Sequence, residues 1–186
     1  MLHRMPITVA SALGVILSAP LAVADTPASP ARTTTQEQIA ERLDRFEDDA
    51  ASMRADFDSY VAYLRNPNTS KQLHAYNLNS ARDQVNSLGL QLDALEDLSP
   101  HGTELQQAAI REVRPHLEAV ADQVGIAIAL HTENRHNLLS QDYRDVVNEM
   151  YESADNLYSK VDAITDYEKA LDKADKARVL TLPDDV

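Results

Sequence analysis

The sequence predicts an all-α fold: an elongated antiparallel up-down-up-down four-helix bundle following an N-terminal signal peptide. Three observations carry that expectation. Apolar residues recur at alternating steps of four and three along four separate stretches, the rhythm of helices packing lengthwise. The 186 residues include only 4 Gly and 8 Pro, and the helix breakers fall between the stretches. No stretch shows the two-residue alternation of a half-buried strand.

Residues 1–24 read as a secretory signal. Arg4 supplies the positive start, residues 7–19 form an apolar core, and Ala22-Val23-Ala24 is a small-x-small cleavage site with Asp25 next. The expected product is exported, periplasmic or secreted, with no membrane contact after cleavage. Residues 25–34 are rich in Pro, Ala and Thr, have no periodic apolar face, and are expected to form a flexible leader. The bundle is expected over 35–182, ahead of an acidic tail at 183–186.

The first helix is predicted over about 36–65. One of Thr33, Thr34 and Thr35 caps it, with Glu37 or Gln38 close behind. Its seam is Ile39, Leu43, Phe46, Ala50, Met53, Phe57, Tyr60 and Leu64. Asn66-Pro67-Asn68 ends it, because the residue before proline avoids the helical region. The second helix, about 70–98, is capped by Thr69 or Ser70. It repeats the rhythm with His74, Leu78, Ala81, Val85, Leu88, Leu92 and Leu95.

Ser99-Pro100-His101-Gly102 breaks the chain again, and Thr103 with Gln106 has capping-box spacing. The third helix, about 103–137, places Ile110, Val113, Leu117, Val120, Val124, Ala127, His131 and Leu138 on its seam. Pro115 falls inside it and is expected to kink it, with Gly89 opposite for close approach. Gly125 is expected opposite Ser153 and Ala154, small against small. The fourth helix, about 141–180, is capped by Ser140. It continues as Tyr143, Val147, Met150, Ala154, Leu157, Val161, Ile164, Glu168 and Leu171.

Composition excludes several functions. There is no cysteine, so disulfides, thiolate metal sites, a lipidation cysteine and c-type haem attachment are out. The formal charge is −13, which repels phosphate backbones and anionic headgroups; nucleic acid is not expected as a partner. No phosphate loop, nucleophile elbow or paired catalytic carboxylates are present, and an enzyme is not expected. Glu133-x-x-His136 is a single copy of a motif that di-iron bundles need twice, with further glutamates. Asp56-x-Asp58 lacks the turn of a calcium loop. Glu47, Asp48 and Asp49 read as a solvated acidic face.

Short connections fix which positions face each other. His74 and His131 fall near one level, with Tyr60, Tyr63, Val147 and Met150 close by. Two facing histidines could ligate haem or a metal, with Met150 as an alternative axial ligand. The architecture is similar to that of exported four-helix haem cytochromes, in fold alone. Glu168, the one acid on the seams, is expected to pair with Arg42 and fix register. Leu98-Ser99-Pro100 and Leu139-Ser140-Gln141-Asp142-Tyr143 are similar to parts of the LTxxQ motif of exported stress chaperones. Neither supplies the threonine and the spaced glutamine that would complete it.

The functional expectation is a non-enzymatic exported bundle without cofactor, in an interaction, structural or stress-related role with a protein partner. The alternative is a haem or metal carrier using His74 and His131. A homodimer is expected if the fourth helix overhangs the others.

Overall fold

Each of the four long helices begins at a hydroxyl side chain that takes over an orphan backbone donor. The computed structural model describes residues 33–66, 70–133 and 140–181. Within them lie α1 (Thr34–Leu64), α2 (Lys71–Leu98), a 3-10 turn (Ser99–His101), α3 (Glu104–Glu133) and α4 (Gln141–Thr181). The expected signal sequence, the expected leader up to residue 32, the breaker and cap positions Pro67, Asn68 and Thr69, the seam position Leu138, His136 and residues 182–186 lie outside the described residues.

Thr33 caps α1, and its box partner is Gln36, not Glu37 or Gln38. Thr33 Oγ1 accepts from Gln36 N at 3.3 Å and Gln36 Oε1 accepts from Thr33 N at 2.9 Å. With the cap at Thr33, the third helical position can only be 36. Ser70 Oγ accepts from Leu73 N at 3.2 Å, and Ser140 Oγ from Tyr143 N at 3.3 Å. Thr103 and Gln106 form the expected reciprocal box, at 3.1 and 3.0 Å. Such caps are each worth about 1 kcal/mol.

The seams of α1 and α2 are buried residue for residue as the rhythm requires. On α3 the buried face begins a turn earlier than expected, at Gln106 and Ala109. On α4 one position moves: Thr165 is buried (1% exposed), Ile164 is only partly covered, and Leu171 is 42% exposed. A straight helix drifts about 20° per heptad against a strict four-three repeat. After Tyr143 to Val161 the drift has carried Ile164 off the seam, and an extra four-residue step brings Thr165 onto it. Thr165 meets the polarity problem by donating to Glu47 Oε2 at 2.6 Å. Glu47 is therefore half-buried and bonded, not part of a solvated face.

Each helix packs on two others: α1 on α2 and α4, and α3 on α2 and α4. Polar cross-links show the sense of each contact. Asp49 and Asp56 of α1 accept from Gln91 and Gln84 of α2. Glu47 and Arg54 of α1 meet Thr165 and Asp155 of α4. Gln106 and Glu112 of α3 meet Glu168 and Lys160 of α4. In all three pairs rising numbers meet falling ones, so the partners run in opposite directions. Among the described residues no helix is long and apolar enough to cross a membrane.

α3 runs unbroken through Pro115, which sits on its exposed face, as the periodicity on both sides of it requires. The glycine positions correct the expectation. A Cβ at Gly89 or Gly125 would meet nothing within 4 Å, and Gly125 is exposed, so neither marks a close approach. Close approach occurs instead at Gly102. A Cβ there would lie 3.0 Å from Ile39 Cδ1 and 3.1 Å from Gln106 Oε1. These positions predict opposite signs. Gly89→Ala removes helix-interior backbone entropy in open space and should stabilise by about 0.5–1 kcal/mol. Gly102→Ala overpacks the corner where α1 meets the start of α3 and should cost about 1–3 kcal/mol. Thermal melts followed by circular dichroism should move up for the first and down for the second.

Candidate functional site

Where α1 and α3 finish and α2 and α4 begin, each long helix contributes one polar aromatic side chain to a common level. They are Tyr60 from α1, His74 from α2, His131 from α3 and Tyr143 from α4. Tyr60, His74 and Tyr143 are all at most 2% exposed. Tyr60, His74 and Tyr143 fall on buried seams, so the packing that buries leucines elsewhere draws them inward, while His131 follows Ala127, the last buried residue of α3, and is partly covered.

The layer is stitched through Tyr60. Its hydroxyl lies 3.2 Å from His74 Nδ1 and in a short hydrogen bond with the Tyr143 hydroxyl. The ring centroids are 5.7 Å apart for Tyr60 and His74, 5.8 Å for His74 and Tyr143, and 6.5 Å for His131 and Tyr143. Tilted and edge-on contacts at these separations suit aromatic rings. Burial pushes Tyr143 up to about 12, against a lowering by the Tyr60 bond. Burial, then the neighbouring Tyr143, hold Tyr60 far above the usual phenol range. Burial and then the charge of His131 lower His74 below its ordinary value. The layer at neutral pH is thus two phenols and a neutral His74 imidazole, joined by shared protons.

The expected histidine level is present, with a changed membership. Tyr143 replaces Val147 and Met150. Met150 is buried on the same helix face but lies two turns from Tyr143, roughly 10 Å along the axis at 1.5 Å per residue, too far to share a ligand with His74. Tyr63 lies outside the layer and is 45% exposed. The signal for Tyr143 is its place as the first seam residue after the Ser140 cap. Facing α3 and α4 by loop length alone sets their register one turn out of place.

Glu168 is buried and accepts from Gln106, whose Nε2 donates to it at 2.7 Å and to the Gln36 carbonyl at 2.9 Å. Arg42 does not pair with it. Arg42 is exposed and lines a charged groove with Arg45, Asp48, Asp49 and Gln91. The Thr103 box explains the place of Gln106: it is held by capping α3, and its amide is thereby aimed at Glu168, while Arg42 leaves α1 on the exposed side.

Buried polar atoms without a partner are distributed unevenly. Among the described residues they are Asn77 Nδ2, Gln84 Oε1, Gln123 Oε1, His131 Nε2 and Arg144 Nε. All lie within about ten residues of the tyrosine–histidine layer along their own helices, some 15 Å at helical rise. Two of them, Asn77 and Gln84, line a groove of about 230 Å³ between α1 and α2, whose wall also includes Tyr60, Tyr63 and Tyr76. Native proteins rarely leave such atoms unpaired, and each calls for an explanation. Among the described residues no group of three or more His, Asp or Glu side chains could hold a metal ion.

The His74 environment sets a pH dependence. The unfolded imidazole takes a proton near its ordinary value of 6.5, while the folded one resists it. The unfolded state therefore binds more protons as pH falls through 6.5, and stability drops on the acid side. Melting temperature should fall between pH about 7.5 and about 5.5, and His74→Gln should flatten that slope. Tyr143→Phe should cost about 1 kcal/mol, because Tyr60 keeps its bond to His74.

No protein-family model, curated protein or solved structure matches this chain. What it does must be read from these side chains.

Proposed function

We propose that this chain is exported as an up-down-up-down four-helix bundle and acts by non-covalent binding at its tyrosine–histidine end, without catalysing a reaction. The supporting observation is the uneven distribution of unpaired polar atoms. At the opposite end Gln106, Glu168, Gln36 and Thr103 answer one another. Beside the tyrosine layer, donors and acceptors are left over, and Tyr63 and Tyr76 stand exposed at 45% and 70%. Exposed tyrosines supply the rigid contact area of an interaction surface, and the unpaired amides lie buried beneath it. Arg4, the apolar run and Ala22-Val23-Ala24 support export. The role is then one of interaction, structure or stress response, with a protein or small-molecule partner.

The test is site-specific. A photo-crosslinking residue at Tyr76 should yield adducts in the exported fraction, and one at exposed Leu90 should not. Equal labelling at both positions would remove the binding-face reading. N-terminal sequencing of the exported protein should begin at Asp25.

A second reading keeps His74 and His131 as a metal or haem site. It is favoured by one observation: His131 Nε2 is buried and unpaired beside an imidazole held neutral, the form that ligates metals. The rings of Tyr60 and Tyr143 occupy the level between the helices, so a single ion suits it better than a macrocycle. The first reading expects no thermal shift with Zn²⁺, Cu²⁺, Fe²⁺ or haem. A shift abolished by His131→Ala would put the second in its place. A homodimer belongs to the same proposal, since α4 has 41 residues against 31 in α1; light scattering at monomer mass would exclude it.

A further inference from the structure

We propose that the last turns of α4 are the surface on which two copies of this chain pair, antiparallel and end to end. This rests on the homodimer proposed above and names the face that makes it.

The face exists because α3 starts late. α3 begins at Glu104, and Gln106 already meets Glu168, yet α4 continues to Thr181. The last ten or so residues of α4, roughly 15 Å, therefore lie beyond the start of α3. Their flank toward α1 is covered, since Lys169 bonds Asp44 and Glu47. The 3-10 turn that precedes α3 packs on α1, α2 and α3. The opposite flank is bare. Tyr167, Leu171, Ala174 and Arg178 recur at alternating steps of four and three, so they form one stripe. Lys160, one heptad before Tyr167, bonds Glu112 of α3, which puts the stripe on the α3 side. Tyr167 is 56% and Leu171 42% exposed, and Ala174 and Arg178 are exposed as well.

The stripe complements itself, as a two-fold contact requires. An axis between Leu171 and Ala174 sets each leucine on the partner's alanine, large against small. The same axis brings the Tyr167 ring under the partner's Arg178, a guanidinium on an aromatic face. Ala170 and Ala177 border the stripe and let the backbones come close. A parallel pair would instead set leucine on leucine and cation on cation.

Charge favours the same occupant. The chain carries −13, so two copies repel across most of their surfaces. The stripe holds no carboxylate, and over 169–178 Lys169, Lys173, Lys176 and Arg178 outnumber Asp172 and Asp175. Two acidic copies meet here with least repulsion. The overlap is about three turns of each helix, so the contact is small and the pair exchanges readily. It leaves both tyrosine–histidine ends uncovered, roughly 90 Å apart at helical rise.

The test uses the purified full chain. Sedimentation velocity across the micromolar range should show a monomer–dimer equilibrium. Small-angle scattering should give the dimer a longest dimension of roughly 100 Å, against roughly 60 Å for copies lying side by side. Leu171→Glu sets like charges across the axis and should weaken pairing by roughly a hundredfold, while Leu90→Glu leaves it unchanged. Both positions are exposed, and circular dichroism should show both variants folded. The chain has no cysteine, so introduced thiols report direction. Tyr167→Cys chains mixed with Arg178→Cys chains should form the mixed disulfide faster than either forms its own. A parent that is monomeric throughout overturns the proposal and the homodimer, and leaves binding at the tyrosine–histidine end standing. If its Leu171→Cys thiol also resists maleimide, the face belongs to the chain's own terminal residues. A dimer that Leu171→Glu does not weaken keeps the homodimer and removes this face. Self-disulfides as fast as the mixed one overturn the antiparallel pairing.

Discussion

Four helices that share an alternating four-three seam can slide past one another by a heptad and still bury leucine against leucine. Polar side chains on the seam remove that freedom, because each must find its partner at one height only. Here the Tyr60 hydroxyl does this at one end, joining α1 to His74 of α2 and to Tyr143 of α4. At the other end the Gln106 amide joins α3 to α1 and α4 through the Gln36 carbonyl and Glu168. A slip of one turn would strand a phenol, an imidazole, an amide and a carboxylate in an apolar interior, at a cost of several kcal/mol. The apolar seam supplies most of the cohesion, and these two levels define which pairing is native.

Helix identity and burial are legible in the sequence because both depend on local periodicity. Ile39 to Leu64 and His74 to Leu95 can be assigned from spacing alone, and Thr103 and Ser140 from capping chemistry, which leaves Thr69 and Ser70 level for α2. The histidine level is legible too, since short connections leave little choice of facing. What the spacing misplaces depends on distances between helices. Loop length puts Val147, with Met150 near it, at the level of His131 where Tyr143 belongs, an error of one turn in the register of α3 and α4. Height alone assigns Arg42 to Glu168, although height does not say which way a side chain leaves its helix. Ile164 yields to Thr165 because helical drift accumulates beyond two heptads.

Glycine shows the same limit. Gly89 and Gly125 lie inside helices, where a missing side chain suggests tight packing, yet space is open beside both. Gly102 reads as simple punctuation after proline. Its real constraint is three-dimensional: Ile39 of α1 and the Gln106 side chain crowd the place where its Cβ would be. The groove is hidden in the sequence for a related reason. Tyr63, Tyr76, Asn77 and Gln84 are ordinary surface residues one at a time, and only the antiparallel contact of α1 with α2 gathers them beside Tyr60.

That Tyr60 has one proton and two neighbours has a consequence of its own. The hydrogen-bond chain can run from Tyr143 through Tyr60 into His74 Nδ1, which leaves the hydrogen of that ring on Nε2. It can also run the other way, with Nδ1 donating and Nε2 bare. The two senses hold the same atoms in the same places and differ only in which tautomer His74 shows. The first sense makes the Tyr143 hydroxyl a donor and the second makes it an acceptor, so the tautomer of a buried ring on α2 and the rotor of a phenol on α4 are set together, with no helix having to move.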